Sequence, residues 1–90
     1  MNVEYTGRQY DVTPAIRKQV ETGLTKITRI IGNNFETHVV LTAEKYRCIA
    51  EITLNSRISP IVALAEAGDM NTAVDQALDN VEKQILSTRA

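Results

Sequence analysis

The apolar residues of this chain change their spacing twice, and this change most restricts the folds it can adopt. Between residues 16 and 31 they recur every three or four positions, the spacing of one buried face of an α-helix. Between residues 37 and 55 apolar residues alternate with their neighbours, the spacing of strands. From residue 70 the helical spacing returns. A short β-prone run, Val3 to Thr6, precedes them all.

Local signals mark where each helix begins and ends. Thr13-Pro14 opens the first helix, because a threonine hydroxyl caps free amide groups and proline fits the first helical position. Gly32-Asn33-Asn34 ends it, since both residue types tolerate the left-handed conformation of a helix C-cap. Asp69 is a good N-cap for the last helix. The predicted buried faces are Ile16, Val20, Leu24, Ile27 and Ile31 in the first helix, and Met70, Val74, Ala77, Leu78, Val81 and Ile85 in the last.

Three further strands are predicted between the helices. Two runs with period two, Thr37 to Glu44 and Cys48 to Asn55, predict strands joined by a hairpin near Lys45-Tyr46-Arg47. Asn55-Ser56-Arg57 is typical of the next turn, and Ser59 to Ala67 is the last predicted strand. The first strand is expected to stop at Gly7.

The predicted fold is α+β, with the order β-α-β-β-β-α. The first crossover should be right-handed, which makes the first two strands parallel neighbours, and hairpins then add the others antiparallel. Pro60 cannot donate a ladder hydrogen bond, so the last strand is placed at a sheet edge. Each helix has one apolar face, so a four-stranded mixed sheet should carry both helices on one side. The predicted open side of the sheet consists of Val40, Thr42, Glu44, Ile49, Glu51, Thr53, Val62 and Leu64.

Composition restricts the class of function. The net charge is -1, from 10 Lys and Arg against 11 Asp and Glu, which argues against binding nucleic acid by bulk charge but permits a local basic face. Aromatic residues are 4% of the chain, which argues against a row of stacking aromatics. The single Cys48 suits a reducing cytosol, and neither a signal peptide nor a membrane span is evident. A cytoplasmic protein with no membrane partner is therefore expected, as a single domain over residues 1–90.

Few residues of the chain could bind a metal or a phosphate group or take part in catalysis. One His and one Cys cannot supply a tetrahedral zinc site without unusual carboxylate help, and the four glycines are too dispersed for a phosphate-binding loop. His38 is interpreted as a partly exposed structural residue, and Cys48 as a buried, inert thiol. We therefore expect no metal, no cofactor, no small-molecule substrate and no enzymatic activity.

Basic residues on the helices are the candidate binding residues. Lys18 and Arg29 are predicted to point away from the apolar face of the first helix, with Arg17 and Lys26 on its flanks. On the last helix Lys83 is predicted to point outward, and Arg89 lies near the end. Side by side, the helices would gather these into one layer. Scattered solubilising charge, diluted by Glu21, Asp79 and Glu82, is the alternative. Apolar residues on the open side of the sheet are a second candidate partner surface.

The chain resembles the family of ribosome hibernation promoting factors and ribosome-associated inhibitors, also called sigma-factor modulation proteins. The resemblance covers nearly the whole chain: Thr6-Gly7 and Val12-Thr13 before a helix with Ile16-Arg17, Val39-Val40-Leu41 with Glu44-Lys45, and Ala50 to Leu54. Its most specific stretches are Ala65 to Met70, Ala73-Val74-Asp75 and Lys83-Gln84-Ile85.

The resemblance implies binding to the small ribosomal subunit, in the channel of messenger and transfer RNA, and inhibition of translation in stationary or stressed cells. It implies contacts from basic side chains to the ribosomal RNA backbone, here at Arg17, Lys45, Lys83 and Arg89. Gln84 matches a glutamine of the family that belongs to the same group of contact residues. Family members usually have more basic residues where this chain has Leu86, Ser87 and Thr88. A homodimer is expected chiefly if the natural chain continues past Ala90 into a dimerisation domain.

Two alternatives remain open on the sequence. One is a generic double-stranded RNA-binding module, although the last helix begins with the acidic Asp69 rather than with basic residues. The other is a homo-oligomeric interaction domain that uses the open side of the sheet.

Overall fold

The helices and strands follow the predicted order. The computed structural model describes residues 2–32, 34–56 and 60–89, with only the backbone of the last two. Its elements are β1 (Asn2–Arg8), α1 (Pro14–Ile31), β2 (Phe35–Ala43), β3 (Cys48–Ser56), β4 (Ile61–Ala67) and α2 (Met70–Arg89). The predicted order β-α-β-β-β-α is confirmed. Asn33, Arg57 and Ser59, which the sequence places in turns and at the start of the last strand, lie outside the described residues.

One mixed sheet with the strand order β1-β2-β3-β4 forms one side of the protein. β1 pairs in parallel with β2, and β2–β3 and β3–β4 pair antiparallel. The predicted edge position of β4 is confirmed, and Pro60 directly precedes the strand.

Two predicted strand ends are wrong, the first because of pairing across the sheet and the second because of the hairpin turn. β1 does not stop at Gly7 but continues to Arg8, which pairs with Thr42, and the chain turns only at Gln9 with φ of 56°. β2 ends at Ala43, so Glu44 lies in the hairpin turn and not on the open side of the sheet. There its carboxylate binds Arg47.

The helix ends have the predicted caps. The Thr13 hydroxyl accepts a hydrogen bond from the Ile16 N–H at 3.2 Å, and Gly32, with φ of 81°, donates its N–H to the Thr28 carbonyl at 2.8 Å. At the start of α2 the Asp69 carboxylate accepts from both the backbone N–H and the hydroxyl of Thr72, at 2.8 and 2.9 Å. These hydrogen bonds lower the pKa of Asp69 below its ordinary value of 3.8.

The core lies between the helices and the inner side of the sheet. Leu24 of α1 and Val81 of α2 are both fully buried there, as the sequence predicts. Ile31 and Cys48 are only half-buried, because both lie where elements end. The predicted deep burial of the Cys48 thiol is therefore wrong.

The two helices run parallel to each other. Each follows a strand that ends beside the 44–47 hairpin, so both helices begin at this end of the sheet, which we call the hairpin end. Near it the Gln19 amide donates to the Asn71 carbonyl at 2.9 Å across the helix pair. Further along, a Cβ at Gly23 would meet Leu78, so the helices approach closely. Lys18 and Lys26 of α1 and three acidic residues of α2, Asp75, Asp79 and Glu82, line the groove between the helices.

Candidate RNA-binding surface

The basic charge of the helix layer is concentrated on α1. This helix carries four basic residues and only one acidic residue, Glu21, for a net charge of +3. All four basic side chains are exposed: Arg17, Lys18, Lys26 and Arg29. At 1.5 Å per residue, α1 spans about 27 Å, so it presents cations along much of one edge of the helix layer.

Arg17 is held on the β1 side of α1. Its guanidinium lies over the ring of Tyr5, 4.7 Å from the ring centroid, and the Tyr5 hydroxyl donates to the Arg17 carbonyl at 3.4 Å. Burial raises the pKa of Tyr5, and Glu21 raises it further, while Arg17 opposes both. The stacking limits the positions that this guanidinium can take while leaving its hydrogen-bond donors exposed.

Lys18 and Lys26 line the groove between the helices. The opposite wall carries three carboxylates, those of Asp75, Asp79 and Glu82. Within the described residues, every ion pair within 4.0 Å involves Arg47, so neither lysine is paired across the groove. Both ammonium groups are therefore available to an external anion.

The second helix contributes less basic charge. α2 has two basic and three acidic residues, for a net charge of -1. Lys83 lies one helical turn after Asp79. It is exposed but does not line the groove. Arg89 lies in the last turn of α2, and its side chain is outside the described part of the chain. The structure thus gathers four of the predicted residues on α1 and separates Lys83 from them by a row of carboxylates.

Lys45 lies at the tip of the hairpin, with its ammonium 5.4 Å from the ring centroid of Tyr46. Tyr46 is 84% exposed, although a tyrosine ring in water is normally partly covered. Sequence reasoning missed Tyr46, because it sought a row of aromatics. The signal was a single aromatic residue next to a lysine in a turn.

Arg47 fixes the shape of this hairpin. Its guanidinium binds the carboxylates of Glu44 at 3.1 Å and of Glu66 in β4 at 3.0 Å, and its carbonyl accepts from the Glu44 N–H at 2.8 Å. The hydrogen bonds and charge of Glu44 raise the pKa of Arg47, with a further contribution from Glu66. The hairpin that carries Lys45 and Tyr46 is therefore tied to the neighbouring strand β4.

The other singled-out residues have ordinary surroundings. His38 is exposed and its Nε2 is hydrogen-bonded to the Thr6 hydroxyl at 2.9 Å. Among the described residues, no group of three His, Cys, Asp or Glu side chains could hold a metal ion. None of the helices within residues 2–32, 34–56 and 60–89 is long and apolar enough to cross a membrane.

Comparison with known proteins decides the family. Residues 3–90 match the model of a family described as sigma 54 modulation protein / S30EA ribosomal protein. The chain belongs to this family. These descriptions are those of a modulation factor and a ribosomal protein, and the prediction that the chain is not an enzyme is confirmed at this level.

Similarity to family relatives extends over nearly the whole of this chain. The chain is 34% identical over 86 residues to the ribosome hibernation promoting factor of Azotobacter vinelandii, covering 96% of this chain and 80% of the relative. The crystal structure of the Thermus thermophilus protein Y N-terminal domain superposes with a TM-score of 0.90 at 30% identity, covering 99% of this chain and 100% of that one. A ribosomal subunit interface protein from Coxiella burnetii gives 0.86 at 27% identity, covering 99% and 98%. The predicted fold and the stated resemblance are confirmed.

The start of α2 bears on the alternative that the chain is a double-stranded RNA-binding module. Such modules need a basic helix N-terminus, whereas α2 begins at the Asp69 carboxylate, whose oxygens bind the first turn of the helix. The geometry at this helix end does not favour that alternative.

Proposed function

We propose that this chain is a cytoplasmic ribosome hibernation factor. In this proposal it binds the small ribosomal subunit in the channel for messenger and transfer RNA, and it thereby inhibits translation in stationary or stressed cells. Residues 1–90 act as one ribosome-binding domain, and binding requires neither a cofactor nor a second copy of the chain. The names of the similar proteins, which include ribosome hibernation promoting factors and a ribosomal subunit interface protein, support the proposal.

The observation that carries the proposal is the net charge of +3 on α1. Lys18 and Lys26 have no ion-pair partner within the described residues, so neither must break a pair before it meets a phosphate. Contacts of this kind give affinity and placement, while the folded shape of the RNA supplies specificity. The total charge of -1 does not reveal this local positive charge on α1.

The proposed RNA contacts are unequal. Those on α1 are expected to dominate, and Lys45 adds a contact from the hairpin end. Lys83 and Arg89 are secondary, because α2 has a net charge of -1 whereas α1 has a net charge of +3. The proposed contact residues are Arg17, Lys18, Lys26, Arg29, Lys45, Lys83 and Arg89.

A charge-reversal experiment tests the proposal. The chain should co-sediment with purified small subunits, should inhibit cell-free translation, and should be displaced by excess transfer RNA. The double variant Lys18→Glu, Arg29→Glu should bind at least about tenfold more weakly, because roughly two phosphate contacts are lost and replaced by repulsion. Both side chains are exposed, so the melting temperature should change little.

Arg8→Glu is the matched control. It reverses an exposed charge on the other side of the sheet, where no RNA contact is proposed, so it should bind at least as strongly as the unaltered chain does. Absence of subunit binding at low salt by the folded, unaltered chain would contradict ribosome binding. Equal losses in the α1 variant and the control would contradict the assignment of the surface to α1.

A further inference from the structure

The open side of the sheet has the opposite charge to α1. Its members are the outward side chains of the strands, which alternate with the buried ones. One is a cation, Arg8, and four are carboxylates, for a net charge of -3: Glu4, Glu36, Glu51 and Glu66. A surface of this charge repels RNA phosphates.

An apolar strip crosses the same surface. Val62 and Leu64 of β4 are 55% and 60% exposed. Glu51 of β3 pairs with Leu64 on one side and with Val40 of β2 on the other, so its carboxylate stands between apolar neighbours. Ile49 lies two residues before Glu51 on the same strand face. The strip therefore offers apolar contacts around the central carboxylate of Glu51.

The edge of β4 beside this strip is covered. The Gln84 amide donates to the Val62 carbonyl at 3.0 Å, and the Asn80 amide reaches the Leu64 carbonyl at 3.5 Å. An incoming strand would have to displace both side chains before pairing with β4. A partner can meet Val62 and Leu64 from the open side without disturbing them.

We propose that the open side of the sheet docks a Lys- and Arg-rich protein segment that also carries apolar side chains. The proposal rests on the proposed function: α1 meets ribosomal RNA, and the sheet meets a basic protein segment of the same subunit. A cation of the segment pairs with Glu51, and its apolar side chains cover Val62 and Leu64. A second copy meeting this surface with its own would bring together two net charges of -3, which disfavours a symmetric dimer here.

Binding to intact small subunits and to protein-free RNA distinguishes the two surfaces in one experiment. Glu51→Lys and Leu64→Ser should each bind intact small subunits about tenfold more weakly. For protein-free RNA from the same subunit, Leu64→Ser should have the same affinity as the unaltered chain. Glu51→Lys should have the same affinity or a higher one. Glu21→Lys on α1 is the control, because it makes the same charge change on the surface proposed for RNA. It should strengthen binding to both substrates.

A photo-crosslinking residue at Leu64 identifies the occupant directly. We expect it to label a basic segment of a ribosomal protein in purified subunits. Labelling of RNA or of a second copy would overturn the proposal. Strengthened subunit binding by Glu51→Lys, comparable to that of Glu21→Lys, would also overturn it while leaving ribosome binding intact.

The fold is verified separately. Melting curves should confirm that each variant folds, and Glu51→Gln repeats the test without reversing the charge, with a smaller loss expected. If the unaltered chain fails to bind subunits at all, the proposed function fails and this docking surface with it. If the unaltered chain binds and all open-side variants bind equally well, only the docking surface is overturned.

Discussion

A Cβ atom at Gly23 of α1 would lie 2.6 Å from Cδ1 and 2.9 Å from Cδ2 of Leu78 in α2. Both distances are shorter than packed carbon atoms accept, so a side chain at Gly23 would require the Leu78 side chain or the helix itself to move. This contact also brings Lys18 and Lys26 near the carboxylates of α2, since all of them line the same groove.

Gly23→Val should destabilise the protein by about 1–3 kcal/mol, because the added methyl groups overpack the contact with Leu78. Thermal or urea unfolding measures this change. Gly23→Ala gains roughly 1 kcal/mol of helix propensity, which offsets part of its smaller steric cost.

A double-mutant cycle isolates the steric part. In a Leu78→Ala background the clash is removed, so adding Gly23→Ala should raise stability by roughly 1 kcal/mol. If Gly23→Ala has the same effect with Leu78 and with Ala at position 78, this contact does not set the helix spacing.

The salt dependence of binding should distinguish the two helices. Lys18→Gln should lower the slope of log affinity against log salt by about one, because one phosphate contact and its released counterion are lost. Lys83→Gln should lower it less, since Lys83 lies beyond the carboxylates of α2. Titrations against small subunits at several salt concentrations give both slopes. Equal slopes for the two variants would show that Lys83 contributes as much as Lys18.

Tyr46→Ala should weaken binding to small subunits without lowering the melting temperature. The ring is 84% exposed, so the fold loses little, whereas stacking of a base on an aromatic ring is worth roughly 1–3 kcal/mol. Tyr46→Phe keeps the ring and should bind as the unaltered chain does. Full affinity in the Ala variant would mean that the tip of the hairpin does not meet an unpaired base.

Gln84→Leu should promote self-association. Its amide covers the Val62 carbonyl at 3.0 Å, and its loss leaves an edge strand with an unpaired acceptor and exposed apolar neighbours. Light scattering at rising concentration should show larger species than for the unaltered chain. Asn80→Leu should have a smaller effect, because its contact is longer, at 3.5 Å. A Gln84 variant that remains as dispersed as the parent would show that other features protect this edge.

The parts of the fold that depend on nearby residues could be predicted from the sequence. The Thr13 cap, the Gly32 end and the apolar face through Leu24 are local, and each is present in the structure. The end of β1 could not be predicted, because the pairing of Arg8 with Thr42 joins distant positions. Glu44 was wrongly placed in a strand for a different reason: its N–H and its carboxylate both bind Arg47, which closes the hairpin turn directly after Ala43.

The candidate site was predictable as a set of residues but not as an arrangement. Sequence periodicity places Lys18 and Arg29 outward on α1, where the structure has them exposed. It does not reveal that parallel helices set Asp75 and Glu82 across a groove from Lys18 and Lys26. Nor does it show that Gln84, which the family resemblance groups with the contact residues, donates to the backbone of β4.

The opposite charges of α1 and the open side of the sheet also affect how the protein would meet a polyanion. A nearly neutral molecule feels little net attraction at long range, but one with a net positive charge on its helix side and a net negative charge on its open sheet side is turned by the field before contact. Encounters would then begin with α1 already facing the RNA, while the low total charge limits retention on unrelated nucleic acids. The separation of charge therefore speeds correctly oriented association without strengthening non-specific binding. The association rate should fall steeply as ionic strength rises.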